Sequence, residues 1–149
     1  MYRVLIADDD ILMREALHVM IAKDSAFKVV SMTDTGERAV RVCKEDVIDI
    51  VFMDMQMPGI TGLEASRIIH QSNPEISIYI LSAHAANVLI RSAAQSQVKD
   101  VLEKPITYSC LKKIMENYKT EHEDSVQNQL EILASYLRNK DFGDFYDGI

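Results

Sequence analysis

The sequence predicts an α/β fold built on an open, doubly wound parallel sheet of five strands, each followed by a helix. Short apolar runs of strand length alternate along the chain with segments whose apolar residues lie three or four positions apart, which is the spacing of an amphipathic helix. Several of the short runs are apolar without alternation, which is typical of strands that helices cover on both faces. A helical extension follows the fifth repeat.

The five predicted strands are five or six residues long and rich in Val, Ile and Leu. They cover residues 3–7, 27–32, 48–53, 76–81 and 98–102. A helix segment with an apolar stripe follows each strand, and the last of these helices ends near Asn117. The fourth stripe consists of Val88, Leu89, Ala93 and Ala94.

Turn residues mark the ends of two of these helices. Thr35 and Gly36 follow an aspartate and open the second helix, whereas Thr61 and Gly62 open the third. Such turn residues between apolar segments fit a helix start. An Asn-Pro pair at positions 73 and 74 closes the third helix, because proline disfavours helical backbone at the residue before it.

Composition excludes several classes of function. The 149 residues carry a net charge of −7, which disfavours non-specific binding to nucleic acid or to an anionic membrane. No apolar run approaches the ~20 residues that span a bilayer, and the first apolar segment is short for a signal peptide. Cys43 and Cys110 have no metal-binding spacing. These features predict a cytoplasmic protein with reduced thiols.

The segment after residue 118 differs in character. Residues 120–125 are polar and lack a core pattern, and then Val126, Leu130, Leu133 and Leu137 fall at intervals of four, three and four. The final residues, 139–149, resemble a cap followed by a short turn with aromatic side chains. We therefore predict two parts, a domain over residues 1–118 and a helical linker or extension over residues 119–149.

Chemically active side chains follow the predicted strands. Acids at positions 8–10 follow the first strand, Asp54 the third, Ser82 the fourth and Lys104 the fifth. The carboxyl ends of parallel strands meet at one edge of the sheet, where such folds bind ligands. Clustered carboxylates require a cation, and oxygen ligands without His or Cys favour Mg²⁺. A lysine and a hydroxyl beside them would grip phosphoryl oxygens, with Asp54 as the phosphoryl acceptor.

Each of these residues also has a simpler interpretation. Asp8 to Asp10 resemble a helix cap, and Asp54 could cap the next helix. Ser82 could serve a turn, and Lys104 could be a solvated side chain. Their joint arrangement at successive strand ends is what favours a site.

Four sequence pieces resemble the receiver domain of bacterial two-component response regulators over residues 1–118. They are VLIADDD at the first strand end, VFMDMQMPGITGLE around the third, ILSA at the fourth and DVLEKP at the fifth. The resemblance implies a flavodoxin-like (βα)5 fold, phosphorylation by a sensor histidine kinase and dependence on Mg²⁺. It also suggests the receiver and linker of an AraC-type transcriptional regulator.

The resemblance further implies roles for individual residues. Asp54 matches the phosphoacceptor and also a metal ligand. Asp9 matches the direct metal ligand, and Asp8 an acid that acts through water. Gln56 stands where the family offers the metal a backbone carbonyl. Breaks at Pro58 and at the following glycines would bend the loop away, so that a phosphohistidine can approach Asp54 in line.

The resemblance assigns switching to Ser82, as the switch hydroxyl, and phosphate binding to Lys104. Pro105 follows at a bond prone to the cis form. Val101 stands where the family usually has Tyr or Phe, so the usual rotation of an aromatic ring is not expected here. Tyr79 is either a substitute for that ring or a packed strand residue.

These observations predict a phosphorylation-activated receiver that catalyses only its own phosphoryl transfer and dephosphorylation and is not otherwise an enzyme. Its expected partners are a cognate sensor histidine kinase and a second copy of the chain, with DNA reached only through an output domain outside these 149 residues. Alternatives are a stand-alone receiver in a phosphorelay, an aspartyl-phosphate hydrolase and a receiver-like domain that is never phosphorylated. Gln56 counts against the hydrolase, which needs an acid at that position.

Overall fold

The computed structural model describes residues 1–92 and 97–140, with five strands and five helices in alternation. The strands are β1 (Tyr2–Ala7), β2 (Phe27–Thr33), β3 (Ile50–Asp54), β4 (Ser77–Ser82) and β5 (Asp100–Glu103). The helices are α1 (Ile11–Ile21), α2 (Gly36–Glu45), α3 (Gly62–Ser72), α4 (Ala85–Ser92) and α5 (Tyr108–Asn139).

The strands form one sheet in the order β2-β1-β3-β4-β5, and every neighbouring pair is parallel. The strand order therefore reverses between β1 and β3, the position at which ligands bind in sheets of this kind. This topology confirms the predicted doubly wound (βα)5 fold. It also brings the carboxyl ends of β1 and β3 together, since Ala7 pairs with Met53.

The central strand β3 and its neighbour β1 are deeply buried. Every residue of β3 is buried, as are the last four residues of β1, because helices cover both faces of the sheet. The largest fully buried side chains include Phe52, Leu5, Ile80 and Leu81. The continuous apolar runs of the sequence thus form the core, and the polar residues that end these strands emerge at one edge.

The helix starts lie where the turn residues predict them. The Thr35 hydroxyl accepts a hydrogen bond from the Arg38 amide, and the Thr61 hydroxyl accepts one from the Glu64 amide, both at 3.2 Å. Asn73 is the C-cap of α3. These caps fix where α2 and α3 begin, and therefore how the loop that follows β3 returns to the sheet.

The part of the described chain that follows β5 is dominated by one continuous helix. α5 extends over 32 residues, from Tyr108 to Asn139, and passes through the polar segment 120–125. The expectation that the fifth helix ends near Asn117 is therefore wrong, because the polar residues 120–125 continue the helix although they have no core to pack on. The chain divides into two compact units, Met1–Leu111 and a second that starts at Lys112. The predicted boundary at residue 118 stays a prediction.

Two predicted features lie outside the described residues. They are the Ala93 and Ala94 positions of the fourth stripe and the aromatic turn at Phe142, Phe145 and Tyr146. Within the ranges that are described, no helix combines the length and apolar character that crossing a membrane requires. Cys43 and Cys110 are free thiols, the first buried and the second exposed.

Candidate functional site

Asp8, directly after β1, is completely buried and is held by groups from several parts of the fold. Its amide donates to the Thr33 carbonyl oxygen at 3.0 Å, and its own carbonyl oxygen accepts from Arg14 Nη1 at 2.7 Å. Its Oδ1 accepts from the Asp10 amide at 2.9 Å. Asp10 in turn caps α1 by accepting from the Leu12 amide. The cap interpretation thus holds for Asp10, whereas the buried carboxylate of Asp8 faces the edge of the sheet.

Asp54 ends β3 and is only 5% exposed. Its Oδ1 accepts a long hydrogen bond of 3.4 Å from the Gln56 amide. Asp54 does not cap the next helix, because Thr61 does so. The backbone after Asp54 turns back tightly, and a Cβ atom at Gly62 would overlap the Asp54 carbonyl oxygen. Glycine at position 62 is therefore what lets α3 start directly beside the acid.

Lys104 links the two buried acids. It follows β5, its amide donates to the Ser82 carbonyl oxygen at 2.9 Å, and its bond to Pro105 is cis. Its Nζ lies 3.1 Å from Asp54 Oδ1 and 3.2 Å from Asp8 Oδ2. The structure thus brings a lysine and two carboxylates, which lie far apart in sequence, into direct contact.

The protonation of the two partners reflects this arrangement. Burial, and next the charge of Asp8, raise the pKa of Asp54 from 3.8 to about 6, and the Lys104 ammonium only partly offsets them. Burial alone would lower the pKa of Lys104, but the charges of Asp54 and Asp8 outweigh it, so that pKa lies above its ordinary value. The lysine is therefore a permanent cation, and Asp54 is ionised only at a cost.

Asp9 completes an acidic cluster with these two residues. Single carboxylate oxygens of Asp8, Asp9 and Asp54 lie within 4.8 Å of one another, and Asp9 is exposed whereas the other two are buried. Mg²⁺ binds oxygen ligands at about 2.0–2.1 Å and keeps several waters, so two of its ligands lie about 4 Å apart or less. The cluster fits such an ion after small side-chain movements.

The remaining predicted residues lie around the cluster. Ser82 ends β4 beside the Asp54–Leu81 pair, is 5% exposed, and its Oγ accepts from the His84 amide at 3.0 Å. This bond is the turn contact that the simpler interpretation expected. Gln56 is an exposed residue, and its backbone N–H points to Asp54. The structure thus brings the Ser82 hydroxyl to the same edge, while the roles of Ser82 and Gln56 stay predictions.

The two positions considered for a switch ring, Val101 and Tyr79, are both packed in the sheet. Val101 in β5 is buried in the core and pairs with Ile80 in the sheet. Tyr79 is buried in β4, where its ring stacks on Phe52 with centroids 5.4 Å apart. Tyr79 therefore occupies the position of a packed strand residue.

The sequence did not predict two residues whose side chains hydrogen-bond the backbone of loops at the site. Arg14, on the first turns of α1, donates to the Asp8 carbonyl oxygen. Glu37, at the start of α2, accepts from the Ile60 amide at 2.9 Å, and this backbone bond lowers its pKa. Gly59, at φ 86°, lets the loop pass directly over the Glu37 carboxylate. Each contact joins the start of a helix to the loop after a strand. The sequence offered a signal for the Glu37 contact alone, which is the turn residue Gly59.

The fold and the three-carboxylate edge define a known class of protein. Residues 4–116 match the family model of the response regulator receiver domain. The chain belongs to this family. Response regulator UvrY of Escherichia coli K12 is 38% identical over 104 residues, which are 70% of this chain and 48% of UvrY. The transcriptional regulatory protein DegU of Brevibacillus brevis is 34% identical over 82 residues, 55% of this chain and 35% of DegU.

A solved structure has the same fold. The CheX–CheY–BeF3–Mg complex from Borrelia burgdorferi aligns with a TM-score of 0.71 at 24% identity, covering 78% of this chain and 89% of the other. The chain spans about half the length of UvrY and a smaller share of DegU. The match therefore covers only part of each of these two relatives.

Proposed function

We propose that this chain is a phosphorylation-activated receiver that takes a phosphoryl group onto Asp54 from a sensor histidine kinase in a Mg²⁺-dependent reaction. The observation that carries the proposal is the Lys104 ammonium, which contacts both Asp54 and Asp8 at the edge where three carboxylates converge. Asp54 contacts a cation and shares the acidic cluster with Asp8 and Asp9. This arrangement suits phosphoryl transfer to a carboxylate.

The chemistry follows from the contacts of Asp54. With a pKa of about 6, its carboxylate is ionised at pH 7 and can attack phosphorus. Oδ1 of Asp54 accepts from Lys104 Nζ and from the backbone N–H of Gln56, so we assign the nucleophile to Oδ2. A bond forms between Oδ2 and phosphorus while the bond from phosphorus to the histidine nitrogen of the donor breaks, and the imidazole leaves with its electron pair.

Charge compensation falls to the surrounding residues. Asp8, Asp9 and Asp54 would hold Mg²⁺, which disperses the charge of the transferring group when bound. Lys104 would move from its carboxylate contacts to a phosphoryl oxygen, and the Ser82 hydroxyl, whose oxygen accepts from the His84 amide, would turn to donate its hydrogen to another phosphoryl oxygen. The product would thereby alter the turn after β4, which is how we propose the signal begins.

We propose no other catalytic activity. A hydrolase of the aspartyl-phosphate type uses an acid two residues after the nucleophile, where this chain has the amide Gln56. An amide neither accepts nor donates a proton at neutral pH, so hydrolysis would be slow and confined to the chain's own phosphoryl group.

The output would be transcription, through a DNA-binding domain elsewhere in a longer protein. Supporting this, DegU is named a transcriptional regulatory protein, and this chain spans only part of it and of UvrY. Action as a stand-alone receiver in a phosphorelay is the alternative. Either role would place the chain in the cytoplasm, where its kinase partner presents the phosphohistidine.

The second proposed partner is another copy of the chain. Val126, Leu130, Leu133 and Leu137 on α5 are 44–55% exposed. Burying the rest of each side chain is worth about 1 kcal/mol, or about 8 kcal/mol over eight residues in a pair. Association costs about 4–15 kcal/mol, so this seam alone supports a weak dimer. We propose that phosphorylation at Asp54 strengthens it.

Labelling by acetyl phosphate with Mg²⁺ tests the phosphoacceptor. The wild-type chain should take up one phosphoryl group, and Asp54→Asn should take up none, because an amide is a far poorer nucleophile. Asp100→Asn is the matched control, since it changes an exposed strand acid at the opposite end of β5. Stoichiometric labelling of Asp54→Asn at the wild-type rate would reject the assignment.

Metal titration tests the acidic cluster separately. Asp9→Ala should lose Mg²⁺ binding, because it removes one of few anionic ligands. Lys104→Ala should keep binding but lose the response to beryllofluoride, because it removes a cation and no ligand. Unchanged Mg²⁺ affinity in Asp9→Ala would mean that this acid does not contribute to the metal site.

A further inference from the structure

The last turns of α5 display an apolar stripe that the receiver chemistry does not use. Val126, Leu130, Leu133 and Leu137 follow one another at intervals of four, three and four, which places them on one face of the helix. From residue 120 to 140 every residue is exposed except Ala134, which is half-buried. A helix with so little burial needs a partner for its apolar face, since isolated helices gain little from propensity alone.

The flanks of the stripe favour a second copy of the same helix. In the heptad pattern set by the stripe, the positions beside the seam are Gln127, Gln129, Ala134 and Tyr136, and none of them is charged. Two copies can therefore approach each other without like charges along the seam. A strongly charged partner would find no complementary flank on this surface.

The charges at the two ends of the stripe distinguish the possible orientations. The same spacing continues to Glu123 on one side and Lys140 on the other. In a parallel pair, each of these residues would oppose its own copy, so that two carboxylates meet at one end and two ammonium groups at the other. In an antiparallel pair, Glu123 opposes Lys140 of the second copy at both ends. Opposite charges across a helix pair set orientation, and like charges oppose it.

The apolar residues are compatible with the same alignment. An antiparallel pair that joins Glu123 to Lys140 also sets Val126 against Leu137 and Leu130 against Leu133, so every stripe residue meets another. The Lys140 ammonium already lies toward this side of the helix, since its Nζ contacts the Tyr136 hydroxyl at 3.2 Å and lies 5.4 Å from the ring centroid. A single register thus satisfies both the apolar and the charged positions.

We propose that residues 123–140 of two copies pair as antiparallel helices about a two-fold axis between Leu130 and Leu133. The inference rests on the proposed pairing of two copies and adds its surface, register and direction. The partner is therefore a second copy of this chain, bound through α5 and held in orientation by two Glu123–Lys140 pairs.

Cysteine cross-linking tests the direction. In a Cys110→Ser background, which removes the exposed thiol, Val126→Cys and Leu137→Cys are made separately. In the antiparallel register, position 126 faces position 137 of the other copy, whereas two copies of position 126 lie about 16 Å apart. A disulfide needs Cα atoms within about 7 Å. Mild oxidation should therefore link an equal mixture of the two variants and leave each variant alone unlinked.

The opposite cross-linking pattern would overturn the proposal. In a parallel pair, each single variant links to itself and the mixture gives no mixed product. Absence of any link, together with a monomer by sedimentation of the unmodified chain at high micromolar concentration, would equally reject it.

Charge reversal provides a second test that leaves the apolar seam intact. Glu123→Lys and Lys140→Glu should each weaken the dimer by about tenfold, because each replaces two attractive pairs by two repulsive ones. Combining both changes in one chain should restore the wild-type dissociation constant. Glu121→Lys is the control, as it changes net charge equally on the outer face of the helix. Equal affinity for Glu123→Lys and the wild type would reject the antiparallel register.

The readouts separate this inference from the receiver function. All of these measurements use the unphosphorylated chain without Mg²⁺, and they are repeated on Asp54→Asn. Cross-linking that follows the antiparallel pattern without labelling at Asp54 would remove only the phosphoacceptor assignment. Labelling at Asp54 in a chain that stays monomeric would remove only the pairing.

Discussion

Replacement of Asp54 by Asn should make the metal-free protein more stable, and the gain should grow with pH. Burial and the neighbouring Asp8 raise the pKa of Asp54 in the folded chain to about 6, against an ordinary value of 3.8. A raised pKa for an acid means that the folded state prefers the protonated form. The associated stability is complete below the unfolded pKa, and it is lost as pH rises through about 6. Asparagine keeps the shape and never carries the charge.

The size of the effect follows from the difference between the two pKa values. It corresponds to about 3 kcal/mol of free energy of unfolding at pH 8, where Asp54 is fully ionised in both states. Near pH 4 the two proteins should be about equally stable. For a chain of this length, 3 kcal/mol raises the melting temperature by about 6–12 °C.

Urea denaturation in EDTA, followed by circular dichroism between pH 4 and pH 8, measures this difference. Asp100→Asn, at an exposed acid, serves again as the control for the loss of one negative charge. A free energy of unfolding for Asp54→Asn at pH 8 that equals or falls below that of the wild type would refute the electrostatic argument. Adding Mg²⁺ should raise the stability of the wild type and leave the variant nearly unchanged.

Three other substitutions or ligands probe the edges of the site. Gly62→Ala should lower the free energy of unfolding by about 3 kcal/mol in urea melts, because the new methyl group meets backbone atoms of Asp54 that cannot move away; a loss below 1 kcal/mol would contradict the packing. Glu37→Ala should displace the Ile60 amide resonance and accelerate its hydrogen exchange, and unchanged exchange would show that the contact is not formed in solution. Beryllofluoride with Mg²⁺ should shift NMR signals around Ser82 but not around the short, packed Val101; large coupled shifts at both would argue for another switch.

The sequence predicted the parts of the fold that depend on local patterns. Apolar periodicity placed all five strands, and the turn Asp34-Thr35-Gly36 marked the start of α2. The convergence of Asp8 and Asp54 was also predictable, since Asp8 follows β1 and Asp54 ends β3, and the carboxyl ends of parallel strands meet at one edge. The rule that ligands bind at the carboxyl ends of parallel strands predicts the edge of the sheet that carries the site, but it gives no distances between side chains.

The contacts that sequence reasoning could not predict join distant parts of the chain. The bond from Arg14 to the Asp8 carbonyl depends on how the first turns of α1 pack, and an arginine on a helix usually points to water. Glu37 looks like an ordinary acid at a helix start, and its bond to Ile60 requires the loop path set by Gly59. The continuity of α5 was missed because an exposed helix leaves no apolar signature over residues 120–125.

The position of Lys104 has a consequence for the order of folding and metal binding. Its ammonium serves as an internal counter-ion to the Asp8 and Asp54 carboxylates, so their repulsion is already reduced before any ion arrives from solution. The chain should therefore fold without Mg²⁺, and at the proposed metal site Mg²⁺ would compete with a tethered cation for the same oxygen atoms. Such competition would lower the affinity of that site for Mg²⁺, so its occupancy would follow the concentration of free Mg²⁺.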